Sequence, residues 1–215
     1  MKNGVTRTLY SYWDDLRGLR PSPNRSEIDP GQIRGLLGDT FILETNGVKD
    51  VRYRLAGTRL CSVHCRELKG RNFLRGWNDK DREALESLIT AVIEDAAVAV
   101  VGVNGHTERG QQLPMEMLLL PLNVPGEGRV RILGCSSAME RPYWMGLHPL
   151  LQQSISSLRL IWPDERPHFV DSDRASHGAV PRLNPERVAM PAQAVLPQGA
   201  ERQVGHLTVY SGGKS

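Results

Sequence analysis

Cysteine is scarce in this chain: three residues in 215, an odd set that cannot all pair. That argues against a disulfide-stapled scaffold and predicts a reducing, cytoplasmic setting. Long apolar runs are missing as well. The longest, Ala96 to Val101, has the size of a strand and falls far short of the roughly 20 residues that span a bilayer. Lys2 is followed by no apolar core of a signal peptide, so neither a membrane span nor export is expected. No sign of charge dominates: 27 Lys and Arg face 24 Asp and Glu, and the arginines are scattered. A nucleic-acid partner, which shows as a clustered basic patch, is not expected.

The motifs of catalysis are absent too. There is no Gly-x-Ser-x-Gly elbow and no phosphate loop, and Gly102-Val103-Asn104-Gly105 lacks the spacing and the strand-to-helix setting of a nucleotide fingerprint. His106, His148, His168, His177 and His206 are dispersed without metal spacing, and Asp14-Asp15 read as a solvated helix edge. The sharpest cluster is Cys61-Ser62-Val63-His64-Cys65. On a helix its two thiols would face one way at i, i+4, but a zinc site wants four ligands and only the distant Cys135 could add a thiol. Buried cysteines behave as small hydrophobes, and that structural reading is preferred to a thiol redox sensor at Cys61/Cys65. A lone His64 is thin support for a haem. The sequence predicts no enzyme and names no cofactor.

What is present is a clear order of elements. Leu9, Trp13 and Leu16, with Tyr12, predict a helix over 6–19 that Pro21 and Pro23 stop. Asp29-Pro30 with Gln32 reads as the capped start of a short helix ending at Gly38. Two strand-like runs, 40–44 and 51–55, flank Asn46-Gly47, a type I′ hairpin signal. Thr58 begins a helix expected to reach Leu68. Asn78 caps the best helix of the chain, with Leu85, Leu88, Ile89, Val92 and Ile93 in one stripe and Asp79, Asp81 and Glu83 near its positive end. Three strands follow, 98–106, 112–122 and 129–138; in the second, Leu113, Met115, Met117 and Leu119 alternate with period two. Past Trp162 the chain is rich in proline and poor in aromatics, which predicts a mobile tail. A late strand is expected at 206–210.

Hairpin, helices, three-stranded meander is the order of a PAS-type domain. From Tyr12 to about Leu160 the chain resembles the PAS_5 family of bacterial, mostly alphaproteobacterial, PAS-domain proteins. The resemblance lies in Tyr12-Trp13-Asp14-Asp15-Leu16-Arg17, Ile28-Asp29-Pro30, Tyr53-Arg54-Leu55-Ala56-Gly57-Thr58-Arg59-Leu60-Cys61, Arg66-Glu67-Leu68 and Phe73-Leu74. It continues in Leu119-Leu120-Pro121-Leu122, Arg131-Ile132-Leu133-Gly134, Pro142-Tyr143-Trp144 and, near the C-terminus, His206-Leu207 with Gly212-Gly213. It implies a mixed α/β PAS fold and a cytoplasmic sensory or regulatory role without known catalysis; motility or cell-cycle control is on record for at least one member.

Together these readings predict an α+β protein. Residues 1–38 form an N-terminal helical extension. Residues 39–162 form a PAS-like domain with a five-stranded antiparallel sheet and helices on one face, and 163–215 form the proline-rich tail. A small-molecule ligand is expected between the 85–93 helix, the 58–68 helix and the sheet, lined by Tyr53, Cys61, Trp77, Met115 and Met117. Arg59 is the arginine singled out for an acidic ligand, among Arg52, Arg54, Arg66, Arg71 and Arg131 flanking the entrance. The Trp13 stripe serves either the domain's own sheet or a homodimer, with the dimer preferred. Signalling is expected through contact with other regulatory proteins, with a ligand-free interaction module as the alternative.

Overall fold

The computed structural model describes residues 1–47 and 49–165, with the backbone of 202–204 and 207–209. The chain divides into two compact units, Met1–His177 and Gly178–Ser215.

The first unit is an antiparallel sheet of six strands, one more than the sequence predicts. These are β1 (Thr40–Thr45), β2 (Val51–Ala56), β3 (Val98–Thr107), β4 (Gln112–Val124), β5 (Gly128–Ala138) and β6 (Leu150–Ile161). Their order is β2-β1-β5-β4-β3-β6. Strand β6 pairs along the whole of β3 and forms one edge, with Ala99 opposite Leu160 and Gly105 opposite Gln153. The turn between β1 and β2 is longer than the two-residue type I′ form. Asn46 N–H donates to Asp50 O at 3.0 Å, and Gly47 has φ 106° while Asn46 keeps a negative φ.

Strand parity sends side chains to two cores. On one face Phe41, Leu43, Tyr53, Val101, Val103, Leu113, Met115, Met117 and Leu119 meet α3 (Asp79–Glu94) through its stripe Leu85, Leu88, Ile89 and Val92. Asn78 caps this helix by accepting from Asp81 N at 2.8 Å. On the other face Ile42, Val100, Leu118, Leu120, Leu133 and Cys135 meet α1 (Gly4–Arg17). Leu9, Tyr10 and Trp13 of α1 are essentially fully buried, and the Trp13 indole Nε1 donates to Pro121 O at 2.9 Å. The Trp13 stripe therefore packs on the chain's own sheet, and the preferred reading of it as a dimer contact is corrected.

Two expected helices are shortened or replaced. The segment 30–38 winds as successive turns closed by i→i+3 bonds such as Leu36 N to Ile33 O, because its carbonyls serve neighbours: Gly38 O accepts from Leu60 N at 3.0 Å. Helix α2 spans Thr58–Val63 and stops well before Leu68, since Cys65 takes a left-handed φ of 48°.

In the second unit β7 (Arg202–Val204) and β8 (Leu207–Val209) pair antiparallel, with Gln203 opposite Thr208. The remainder of the expected tail from 166 onward, including His206 and Tyr210, lies outside the described residues. No helix among the described residues is long and apolar enough to cross a membrane.

Candidate functional site: an arginine-walled cleft between the sheet edges

The segment following α2 crosses from one edge of the sheet to the other. At β2, Gly70 N donates to Tyr53 O at 2.7 Å and Tyr53 N donates to Arg71 O at 3.0 Å. A single turn, Phe73–Gly76, follows, with the Asn72 side chain accepting from Leu74 N at 2.8 Å. At β6, Asn78 N donates to Gln153 O at 3.4 Å, and Asp81 at the start of α3 accepts from Ile155 N at 2.8 Å. Residues 70–81 thus strap β2 to β6.

Between strap and strand edges lies a cleft of about 480 Å³. Its apolar floor includes Tyr53, Leu68, Phe73 and Leu150, and its polar wall includes Arg52, Arg66, Arg71, Arg75, His64 and Gln153, with no carboxylate side chain in the lining. Arg52 is neutralised by Asp50 at 2.7 Å. The other three guanidinium groups have no carboxylate partner among the described residues. Arg66 donates to the main-chain carbonyls of His64 and Leu150 at 3.2 and 3.4 Å, and Arg71 to that of Glu67 at 2.7 Å. Gln153 is only 5% exposed overall, but its side-chain amide, which has no hydrogen-bond partner among the described residues, opens onto the cleft. The absence of a side chain on Gly76 leaves room for that amide: a Cβ there would stand 3.2 Å from Gln153 Nε2.

His64 closes the cleft on the α2 side, its ring Nδ1 3.3 Å from Leu150 O. Burial pushes its pKa down to about 4, helped by the Arg66 charge and opposed by the Leu150 carbonyl. The imidazole is therefore neutral near pH 7 and donates through Nδ1–H. Burial likewise raises the Tyr53 hydroxyl, with a smaller contribution from Cys61. It stays protonated near pH 7.

Of the six residues proposed from the sequence, only Tyr53 lines this cleft. Arg59 is held by Asp39 at 2.6 Å, outside it. Cys61 sits at the margin of the α3-side core beside Ala56 O. Trp77, Met115 and Met117 fill the space between α3 and the sheet, where a cavity was expected. Trp77 is 2% exposed and its Nε1 is a buried donor without an acceptor among the described residues. Arg54 and Arg131 both pair with Glu44, at 3.2 and 2.6 Å. Arg52, Arg66 and Arg71 line this cleft rather than the entrance of the expected cavity beside the 85–93 helix, and Arg75, His64 and Gln153 were not foreseen as lining. The thiols do not share a face: Cys61 points toward Ala56 and Glu67, Cys65 toward Gly146 O at 3.4 Å.

The PAS_5 family, described as a PAS domain, matches residues 1–137. The chain belongs to the PAS_5 family. No curated protein matches the sequence at a significant level. Among solved structures, a light-oxygen-voltage domain studied with a flavin analogue is 16% identical, with a TM-score of 0.41 over 53% of this chain and 85% of that one. The PAS domain of an HTR-like protein from Haloarcula marismortui is 17% identical, with a TM-score of 0.38 over 51% of this chain and 90% of that one. The Rhodobacter sphaeroides LOV protein is 11% identical, with a TM-score of 0.39 over 54% and 71%.

Proposed function

We propose that this PAS_5 protein is a non-enzymatic cytoplasmic sensor or regulator, which binds a small molecule and signals through contact with other regulatory proteins. The observation that carries the reading is the cleft itself. It is concave, of a volume ordinary for small-molecule sites, floored by apolar side chains and edged by Arg66, Arg71 and Arg75, which have no carboxylate partner among the described residues. Such an arrangement suits holding a ligand. The family resemblance supports motility or cell-cycle control as the process served. A homodimer uses a surface other than the Trp13 face, and the exposed Leu158 and Trp162 on and beside β6 are the apolar side chains to test.

The test is native mass spectrometry of the purified chain beside a denatured control. A mass above 23.9 kDa by a few hundred daltons, lost on denaturation, is the expected result. The filled interior between α3 and the sheet favours a second reading, a ligand-free interaction module. A bare mass, together with a defined partner bound equally well with or without added metabolites, would establish that reading instead.

A further inference from the structure

Deepening the sensory reading, and resting on it only for the ligand's role, we propose that the β2–β6 cleft binds a small organic anion carrying two or more acidic oxygens. These would be phosphate oxygens or paired carboxylates, held by Arg66, Arg71 and Arg75.

Three independent features support this. First, three arginines without carboxylate partners converge on one cleft whose lining contains no acid. Gathering like charges is unfavourable in itself, and a concave site with apolar walls focuses the resulting positive potential on whatever enters. Arg17, Arg20, Arg54, Arg59, Arg82 and Arg131, outside the cleft, each have a carboxylate within 3.2 Å. The planar guanidinium matches carboxylate and phosphate in paired hydrogen bonds, so arginine is the cation suited to such a ligand.

Second, the Gln153 amide opens onto the cleft and makes no hydrogen bond within the described residues, so its donor and acceptor are both free for a ligand. Such an amide can donate to a ligand oxygen without first breaking a bond inside the protein. Third, the titratable side chains beside the arginines are neutral. His64 is held neutral with Nδ1–H on Leu150 O, and Tyr53 keeps its proton, so neither adds a negative charge to the lining. The apolar floor of Tyr53, Leu68 and Phe73 indicates that the ligand carries a carbon body beside its charges.

The experiment is calorimetric titration of the full chain with pyrophosphate and with citrate, each at low and at physiological salt, repeated on Arg66→Ala/Arg71→Ala, Arg71→Ala/Arg75→Ala, Gln153→Leu and Arg59→Ala. One or both anions should bind saturably, more weakly in higher salt. Removing a charge-assisted contact should weaken binding about tenfold per arginine. Gln153→Leu should weaken binding while leaving the thermal midpoint close to the parent's, because the amide makes no hydrogen bond within the described residues. Arg59→Ala should bind as the parent does. Preference for pyrophosphate would assign a phosphate ligand, and preference for citrate a carboxylate. No saturable binding of either anion, or binding that survives both arginine double variants, overturns the proposal. Co-purification of an uncharged molecule alone would overturn it and leave the sensory reading standing. Anion binding lost in the double variants, with no effect on assembly state or partner affinity, would uphold the cleft and overturn the sensory reading.

Discussion

The buried imidazole of His64 makes stability depend on pH in a window where no carboxylate interferes. Its pKa is about 4 in the folded chain, against an ordinary 6.5. The folded value is lowered, so the unfolded state binds more protons between the two. Stability is then fully present above pH 6.5 and falls as the pH drops from there toward 4. Worked through linkage for these two values, the loss between pH 8 and pH 5 is about 2 kcal/mol, and it reaches about 3 kcal/mol once both states are protonated. Glu116 is the main competing group. Burial pushes its carboxyl up, but the Thr6 hydroxyl and the Lys2 and Asn3 N–H groups outweigh burial and hold it below its ordinary value. Its contribution is lost only below about pH 4.5, outside the window. The assay is urea unfolding of the parent and of His64→Leu at pH 8, 7, 6 and 5, in buffers free of phosphate and citrate. At pH 8 the variant should lie within about 1 kcal/mol of the parent, because Leu150 O keeps Arg66 as a donor. At pH 5 the parent should have lost about 2 kcal/mol more than the variant. Parallel pH profiles for the two proteins would refute the argument, since they would mean that His64 is solvated in the native state.

Trp13→Ala should destabilise the chain by about 3–5 kcal/mol in the same assay. It empties a fully buried site and removes both the bond to Pro121 O and the Arg17 guanidinium stacked 5.3 Å from the ring; a loss below about 1 kcal/mol would mean α1 is only loosely docked. Gly57→Ala should destabilise strongly, because its Cβ would strike the carbonyl oxygens of Leu37 and Gly38, which are backbone and cannot swing aside; a midpoint equal to the parent's would show that the 30–38 turns yield freely. Thiol titration with a disulfide reagent should give Cys65 first, Cys61 more slowly and Cys135 only on unfolding. Cys65 is exposed, while burial foremost raises the pKa of the other two thiols, most of all at Cys135. Rapid loss of Cys61 and Cys65 together would revive the redox-sensor reading.

Much of the fold is legible in the sequence where one element buries one face. The period of two in β4 and the stripe on α3 are local consequences of a core that each segment meets alone, so Leu113, Met115, Met117 and Leu119 declare their side without help. Strand β6 does not declare itself, because an edge strand needs few buried positions: only Leu150, Gln153 and Ile161 are buried, and apolar Leu151 and Leu158 face outward. The 29–38 segment carries capping chemistry, and Asp29 does accept from Gly31 N at 2.8 Å. Its continuation is overridden by tertiary bonds from Gly38 O and Asp39. The cleft was only half legible for the same reason. Arg66, Arg71 and Arg75 lie close in sequence, but the wall that makes them a site comes from Leu150 and Gln153 on the strand the pattern does not reveal.

Strand parity also bears on how a signal would leave. A ligand shifts an equilibrium only through unequal affinity for two arrangements, so the responsive element must be one the ligand touches differently in each. Helix α1 lies on the far face of the sheet. It is fixed there by the buried Glu116, which accepts from Lys2 N, Asn3 N and the Thr6 hydroxyl, and by the Trp13 bond to Pro121 O. An anion in the cleft touches none of these. It does touch the strap, whose end caps α3 and whose bonds to β6 run through Asn78 and Asp81. Drawing Arg71 and Arg75 toward Gln153 changes the distance between β2 and β6 and loads those bonds directly, whereas reaching α1 requires deforming a packed sheet whose two faces are both filled. Within the sensory reading, the N-terminus of α3 and the outer edge of β6, with exposed Leu158 and the adjoining Trp162, are the shorter route to a partner than the N-terminal helix.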